Sequence, residues 1–447
     1  MEASKKHQGI SAFIIIWIGQ IVSILASGMS QFALTIWMYQ QTKSPMAMSL
    51  MTVFYITPFL ILSPFAGLMV DRYNRKLMMM VSDLTAVLAT VAIFILASTH
   101  RLEFWHLYVT AIFYGIGNTF QWPAYSAVIS TLVSKEQLGR VNGLMTVMEA
   151  GPGVVAPILA GALLPVFGIS TILAFDVLTF FLAIGALALV TIPQPRKTEE
   201  GQKKTGNFWA EVTYGFTYIF ARPGLLGLQL VYFTGNLFFG IVFAVMAPMI
   251  LARTNNSVVF GSVQSAAAIG MVLGGLLMGA WGGFKRRVNG VLLGWITISL
   301  LGMFLFGLGQ TPLWWIVTIG FSSLITPIMD GSNQAIWQSK VAPDLQGRVF
   351  SARRLIAWFA QPIAPVIGGA LAEYAFEPAM QSQSTLSRLF SGVVGNGPGA
   401  GMSLLIIFCG IGGILTGLSG YFIPAIRRVE DALPDHDLLA PAEMLQE

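Results

Sequence analysis

Four carboxylates interrupt long apolar runs: Asp83, Glu149, Asp176 and Asp330. An ionised carboxylate at the centre of a bilayer costs about 2.5–3.5 kcal/mol or more, so such groups face a protein interior or a water-filled cavity. There a carboxyl can take a proton from one side and release it to the other. Glu149 and Asp330 lie deepest in their runs and are candidates for substrate or proton handling. Asp330 is followed by Gly331, Ser332 and Asn333, which also fit a structural polar patch. Asp176 and Asp83 each stand about two turns from the start of their runs. Asp83 is therefore suited to supporting the charged turn that precedes it, Asp71-Arg72-x-x-Arg75-Lys76.

Aromatic and amide side chains share these runs, among them Trp17, Gln20, Gln31, Gln121, Trp122, Trp337 and Trp358. Aromatics with a few amides suit the wall of a path for bulky amphipathic solutes; singly, each equally suits a lipid-facing position. Other chemistry finds little support. Cys409 is the only cysteine, so neither an intramolecular disulfide nor a Cys-based zinc site can form. His7, His100, His106 and His436 sit at the ends or in one short loop, which argues against a His-ligated metal centre. No nucleophile–base pair is evident, so neither an enzyme nor a cofactor is expected. The segment from Glu373 to Gly401 ends in a Gly-rich stretch, but no strand precedes it and no Lys-Ser/Thr follows, which excludes a phosphate-binding loop.

The elements that hold these residues follow from composition. Of 447 residues, 55% are hydrophobic and 10% charged, against about 25% charged in a soluble chain. So few charges leave a surface that water would drive to aggregate and that lipid accommodates. Apolar windows near 13–39, 49–70, 77–98, 105–132, 142–163 and 169–192 are followed by six more near 224–250, 258–281, 290–309, 313–339, 353–371 and 402–424. A membrane helix needs roughly 20 such residues. The first window is too long for a secretory signal and reads as an uncleaved first span.

The net charge of +5 reflects topology and not nucleic-acid binding. With the amino terminus in the cytoplasm, 21 of the 25 Lys and Arg fall inside, and only Lys43, Arg101, Arg253 and Arg388 fall outside. That bias predicts an even number of spans with both termini cytoplasmic, in a cell membrane. It also leaves no base deep in the runs. A cavity holding acids and no bases would favour a cation or a neutral amphiphile. The stretch 193–207 (PQPRKTEEGQKKTGN) is the clear linker. Phe208, Val212, Phe216 and Phe220 then recur every fourth residue, which reads as an amphipathic helix on the cytoplasmic face or as an extension of the seventh span.

Residues 127–163 and 335–371 align without a gap at ten identities in 37 positions, including paired Gly-Arg-Val and Pro-x-x-x-Gly-Ala-Leu elements. The expectation is an all-α integral membrane protein of twelve transmembrane helices in two pseudo-symmetric six-helix bundles. The bundles would span 1–192 and 224–428, with a linker at 193–223 and a solvated acidic tail at 429–447. Duplicated halves suggest a site at their interface.

The segment from Gly67 to Lys76 (GLMVDRYNRK) closely resembles the signature loop of the major facilitator superfamily. The stretches Ser82-Asp83-Leu84, Phe120-x-x-Pro123-Ala124, Phe175-Asp176-Val177-Leu178 and Gly347-Arg348-Val349-Phe350-Ser351 resemble the macrolide-efflux type within it. The resemblance implies a major facilitator fold and export of a drug, macrolide-like compound or secondary metabolite, exchanged for protons. A siderophore exporter, a solute importer or a non-transporting receptor of the same fold are the alternatives. Tyr114 stands where many proton-coupled exporters carry an arginine, and the proline-glycine motif of the fifth span survives only as Gly143 and Gly151-Pro152.

Within this reading Asp71, Arg72, Arg75 and Lys76, with Asp83, Arg140 and Arg348, form a gate. Asp71 would meet the helix start near Arg348–Arg354, gaining about 0.3–1 kcal/mol from the helix dipole. Retention of basic residues in the cytoplasm explains Arg72, Arg75 and Lys76 but not Asp71. Lys285-Arg286-Arg287 have no neighbouring acid in sequence, so the latch is one-sided. The pathway candidates are Glu149, Asp176, Asp330, Gln31, Trp122, Trp337 and Trp358. The partners expected are a small-molecule substrate, protons and the bilayer, with the chain as a monomer.

Overall fold

The computed structural model describes residues 2–72, 74–132, 138–190, 208–341, 343–382 and 384–432. All described elements are helical. The chain divides into two compact units, residues 1–197 with 254–265, and residues 198–253 with 266–447.

The first unit is built on five helices: α1 (Glu2–Thr42), α2 (Pro45–Arg72), α3 (Arg75–Ser98), α4 (Phe104–Leu132) and α5 (Leu138–Leu189). Short polar turns separate them. Ser44 Oγ accepts from Ala47 N at 3.0 Å ahead of α2, and Pro45 opens that helix with a φ already helical. Asn74 caps α3 by accepting from Leu77 N at 3.2 Å. The 52-residue α5 is interrupted at Gly168, whose φ of 73° and ψ of 172° no L side chain adopts readily. α1 packs against α5, α2 against α4, and α3 against both α4 and α5. Close approach of α2 and α4 depends on Gly115, where a Cβ would stand 2.1 Å from the Tyr55 carbonyl oxygen.

The second unit begins with α6 (Phe208–Phe220). A turn at Ala221–Arg222 separates it from α7 (Pro223–Thr254), so the amphipathic segment is a helix of its own and not an extension of the next span. It packs against α11 (Pro343–Trp358), and Tyr218 Oη donates to Lys340 O at 3.2 Å. Burial pushes the Tyr218 phenol up, while the Arg222 guanidinium, 3.5 Å above its ring, acts in the opposite direction. The remaining long rods are α8 (Ser257–Trp281), whose first turns group with the first unit, then α9 (Arg287–Ser299), α10 (Pro312–Lys340), α12 (Ala360–Ala370) and the last span. π-helical turns at Leu300–Leu305 and Leu371–Phe376 continue α9 and α12.

The segment after α12 is largely helical: α13 (Glu377–Gln381) and the amphipathic α14 (Thr385–Val394) lead through a Gly turn into α15 (Ala400–Phe422). Glu377 accepts from Gly399 N at 2.5 Å and Met402 N at 3.2 Å, so its carboxylate satisfies the start of α15. The acidic tail expected to be solvated after Arg428 is docked at its beginning. α16 (Pro424–Arg427) and α17 (Val429–Ala432) bury Ile426 and Val429. Glu430 accepts from Arg287 N at 3.2 Å and Val288 N at 2.9 Å, capping α9 across 143 residues of sequence. Asp431 pairs with Arg286 at 2.8 Å, and Lys340 Nζ donates to Glu430 O at 2.6 Å. Arg286 thus finds its acid, and the start of α9 its cap, at the far end of the chain, where local sequence shows none.

Ten helices among the described residues are long and apolar enough to cross a membrane. One of them, Gly151–Leu189, contains the break at Gly168, and the 29-residue α4 stands beside the ten. The apolar windows read from sequence fall on these ten helices, on the two arms of the break at Gly168 and on α4. Large apolar side chains point outward along the rods, such as Val166 at 72% and Phe181 at 58% exposure. That is the surface lipid requires and water disfavours.

Candidate functional site

In the second unit three helices line an open cavity of about 580 Å³. α7 contributes Gln229, Tyr232 and Asn236, which share a helical face by their spacing of three and four. α10 contributes Asp330, Asn333 and Gln334. α11 contributes Phe350, Arg353, Arg354, Ala357 and Trp358, again one helical face.

Hydrogen bonds tie this wall together. Gln229 Nε2 donates to Arg353 O at 3.0 Å, and Asn236 Nδ2 to Ala357 O at 3.3 Å, joining α7 to α11. Tyr232 Oη donates to Met329 O at 3.2 Å and lies 3.4 Å from Asp330 Oδ1, joining α7 to α10. Trp337 is fully buried, with Nε1 donating to Asn333 Oδ1 at 3.0 Å. The Arg353 guanidinium stands 5.3 Å from the Trp337 ring and 5.6 Å from the Phe350 ring, and Arg354 stands 4.3 Å from the Trp358 ring. Such contacts stabilise a cation in a partly dry site. No ion pair joins Arg353 to Asp330, although the two influence each other electrostatically.

Two polar networks lie in the first unit. Asp83 accepts from Gln20 Nε2 at 3.1 Å and from Gln121 Nε2 at 2.8 Å, and Gln121 Nε2 also reaches Gln20 Oε1 at 3.1 Å. This triad joins α1, α3 and α4, and Asp83 is 6% exposed. Asp176, fully buried, accepts from Ser27 Oγ at 2.9 Å. Tyr114 hydrogen-bonds to Thr90 between α3 and α4. Lys76 Nζ donates to Ala188 O at 2.9 Å and Val190 O at 2.8 Å, where a cation meets the negative end of α5.

Of the residues singled out in sequence, Asp330 and Trp358 line one cavity, and Trp337 stands behind its wall. Asp83 and Asp176 are bound into separate networks, Lys76 ties α3 to α5, and Gln31 is exposed on α1. The side chains of Asp71, Arg72, Arg75, Arg140, Arg348, Glu149 and Trp122 lie outside the described residues. Sequence reasoning missed Tyr232, Asn236 and Arg353. The spacing of Gln229, Tyr232 and Asn236 in an otherwise apolar run was the available signal. Arg353 was assigned to a cytoplasmic segment; α11 begins at Pro343, and Arg353 faces the same cavity as Asp330. The expectation of acids without bases is therefore corrected.

Membrane-crossing helices, three of which line a cavity with polar and aromatic side chains, are the architecture of a multi-pass membrane transporter of small molecules. A family model for the Major Facilitator Superfamily matches residues 16–365, and the chain belongs to that superfamily, in its macrolide-efflux type. It is 30% identical over 369 residues to macrolide efflux protein A of Streptococcus pyogenes, covering 81% of this chain and 89% of that one. It is 25% identical to the multidrug efflux pump Tap of Mycolicibacterium fortuitum, over 79% and 88% of the two chains. Among solved structures, a bacterial homolog of the human lysosomal transporter Spinster matches with a TM-score of 0.67 at 13% identity, covering 95% and 98%. A POT family transporter in complex with 5-aminolevulinic acid matches with a TM-score of 0.64 at 14% identity, covering 92% and 96%. At such identities the likeness concerns the fold.

Proposed function

We propose that this protein is a secondary active exporter of small amphipathic, drug-like compounds, exchanging them for protons across the cell membrane by alternating access. Relatives named for macrolide and multidrug efflux support the direction and the broad class. The observation that carries coupling is Asp330, a carboxylate in a membrane-spanning helix that faces a cavity beside the Tyr232 hydroxyl. An acid so placed can hold a proton or a substrate amine but not both, and that competition is the elementary step of exchange. Glu149 is the second candidate. The turn from Asp71 to Lys76, with Arg140 and Arg348, serves as the cytoplasmic gate. Both termini lie in the cytoplasm and the working unit is a monomer.

The test is efflux by energised everted vesicles against a panel of neutral and charged amphiphiles, with and without a pH gradient. Asp330→Asn and Glu149→Gln are assayed separately. At least one should lose gradient-dependent transport by tenfold or more; unchanged coupling in both removes them as proton carriers.

A further inference from the structure

The charge on the wall of the second unit's cavity specifies its occupant more narrowly than amphipathic character does. The described lining carries two guanidinium groups, Arg353 and Arg354, against one carboxylate, Asp330. Asp330 and Arg353 face the same space and are not joined as an ion pair. Arg353 Nη1 is buried and has no hydrogen-bond partner among the described residues. An unpaired buried donor on a charged group is costly, and an unpaired charge more so. The rings of Trp337 and Phe350 flank this side chain, and the bond from Gln229 to the Arg353 carbonyl anchors its backbone. A guanidinium among the lining residues is suited to a carboxylate, the anion its planar donor set recognises best. A purely cationic compound would satisfy Asp330 and leave both guanidinium groups facing a positive ligand.

We infer that this cavity selects zwitterionic amphiphiles, with Asp330 receiving the ligand's amine and Arg353, as the specificity-determining residue, receiving its carboxylate. Arg354, stacked on Trp358, adds positive potential and an aromatic surface for the ligand's ring system. The volume of about 580 Å³ accommodates a compound of drug size. The inference rests on the exporter reading for its biological setting and not for its test, which is a binding measurement.

Purified wild-type protein in detergent is titrated with norfloxacin, a zwitterion, and with norfloxacin methyl ester, which keeps the amine and lacks the carboxylate. The expected result is binding of norfloxacin at least tenfold tighter than of the ester. Arg353→Gln should remove that preference by weakening norfloxacin alone, and Arg353→Lys should restore part of it. Equal affinity for both compounds in the wild type, or binding of neither, overturns the inference. A preference that survives Arg353→Gln overturns the assignment to Arg353. Should Arg353→Gln not remain monodisperse, the wild-type ratio and Arg353→Lys still decide. Proton-dependent efflux of cations with no preference for norfloxacin would leave the exporter reading standing and this inference refuted. Binding preference without efflux of any compound would do the reverse.

Discussion

Single residues in this protein do different work according to what their neighbours leave unsatisfied. Asp83 and Asp330 are both acids within apolar spans, yet Asp83 accepts from two buried amides while Asp330 faces a cavity. Asp83 is therefore a structural acceptor. Asp83→Leu strands the Gln20 amide nitrogen and leaves Gln121 only its bond to Gln20 Oε1, at about 1–3 kcal/mol for a buried polar group left unpaired. The expected outcome is a clear fall in the unfolding temperature of the detergent-solubilised protein, with a smaller fall for Asp83→Asn, which keeps one acceptor. Equal stability of the two variants would refute the network's role. Asp330→Asn should fold normally, because an amide still meets Tyr232, and should lose coupling in the vesicle assay described above.

At the scale of elements, two devices shape the bundles. Gly168 breaks the longest helix with a backbone conformation open to glycine, and a Cβ there would meet nothing within 4 Å. A substitution is thus penalised by dihedral strain alone. Gly168→Ala should cost about 1–3 kcal/mol and lower the unfolding temperature, whereas an unchanged transition would show that the bend adapts. Glu430 caps α9 from beyond the last span. Removing a cap costs about 0.5–2 kcal/mol, so Glu430→Ala should destabilise the protein. Glu430→Gln, which keeps an acceptor but loses the favourable charge at the helix amino terminus, should fall between. Differential scanning fluorimetry in detergent reads both series.

For the whole molecule, the distribution of Lys and Arg predicts orientation. Cys409 is 4% exposed, so Cys409→Ser gives a background in which added cysteines report alone. In that background Lys43→Cys should react with a membrane-impermeant maleimide on intact cells. Arg75→Cys should react only after permeabilisation. The opposite pattern would invert the topology and with it the assignment of the gate to the cytoplasm.

Membrane residence, the spans and the superfamily were legible in the sequence, because hydropathy, charge bias and motifs are properties of consecutive residues. So were Asp330 and Trp358, as polar or aromatic groups in apolar runs. Which polar groups meet was decided only by tertiary structure. Gln20 reaches Asp83 across 63 residues, Arg353 approaches Asp330 from the next helix, and Glu430 answers Arg287 from the end of the chain. Helical periodicity fixes which residues share a face, but the packing of one rod on another chooses the face it meets. That choice made Asp83 a structural acceptor, brought a base into a cavity expected to hold acids alone, and docked the start of a tail that composition assigned to water.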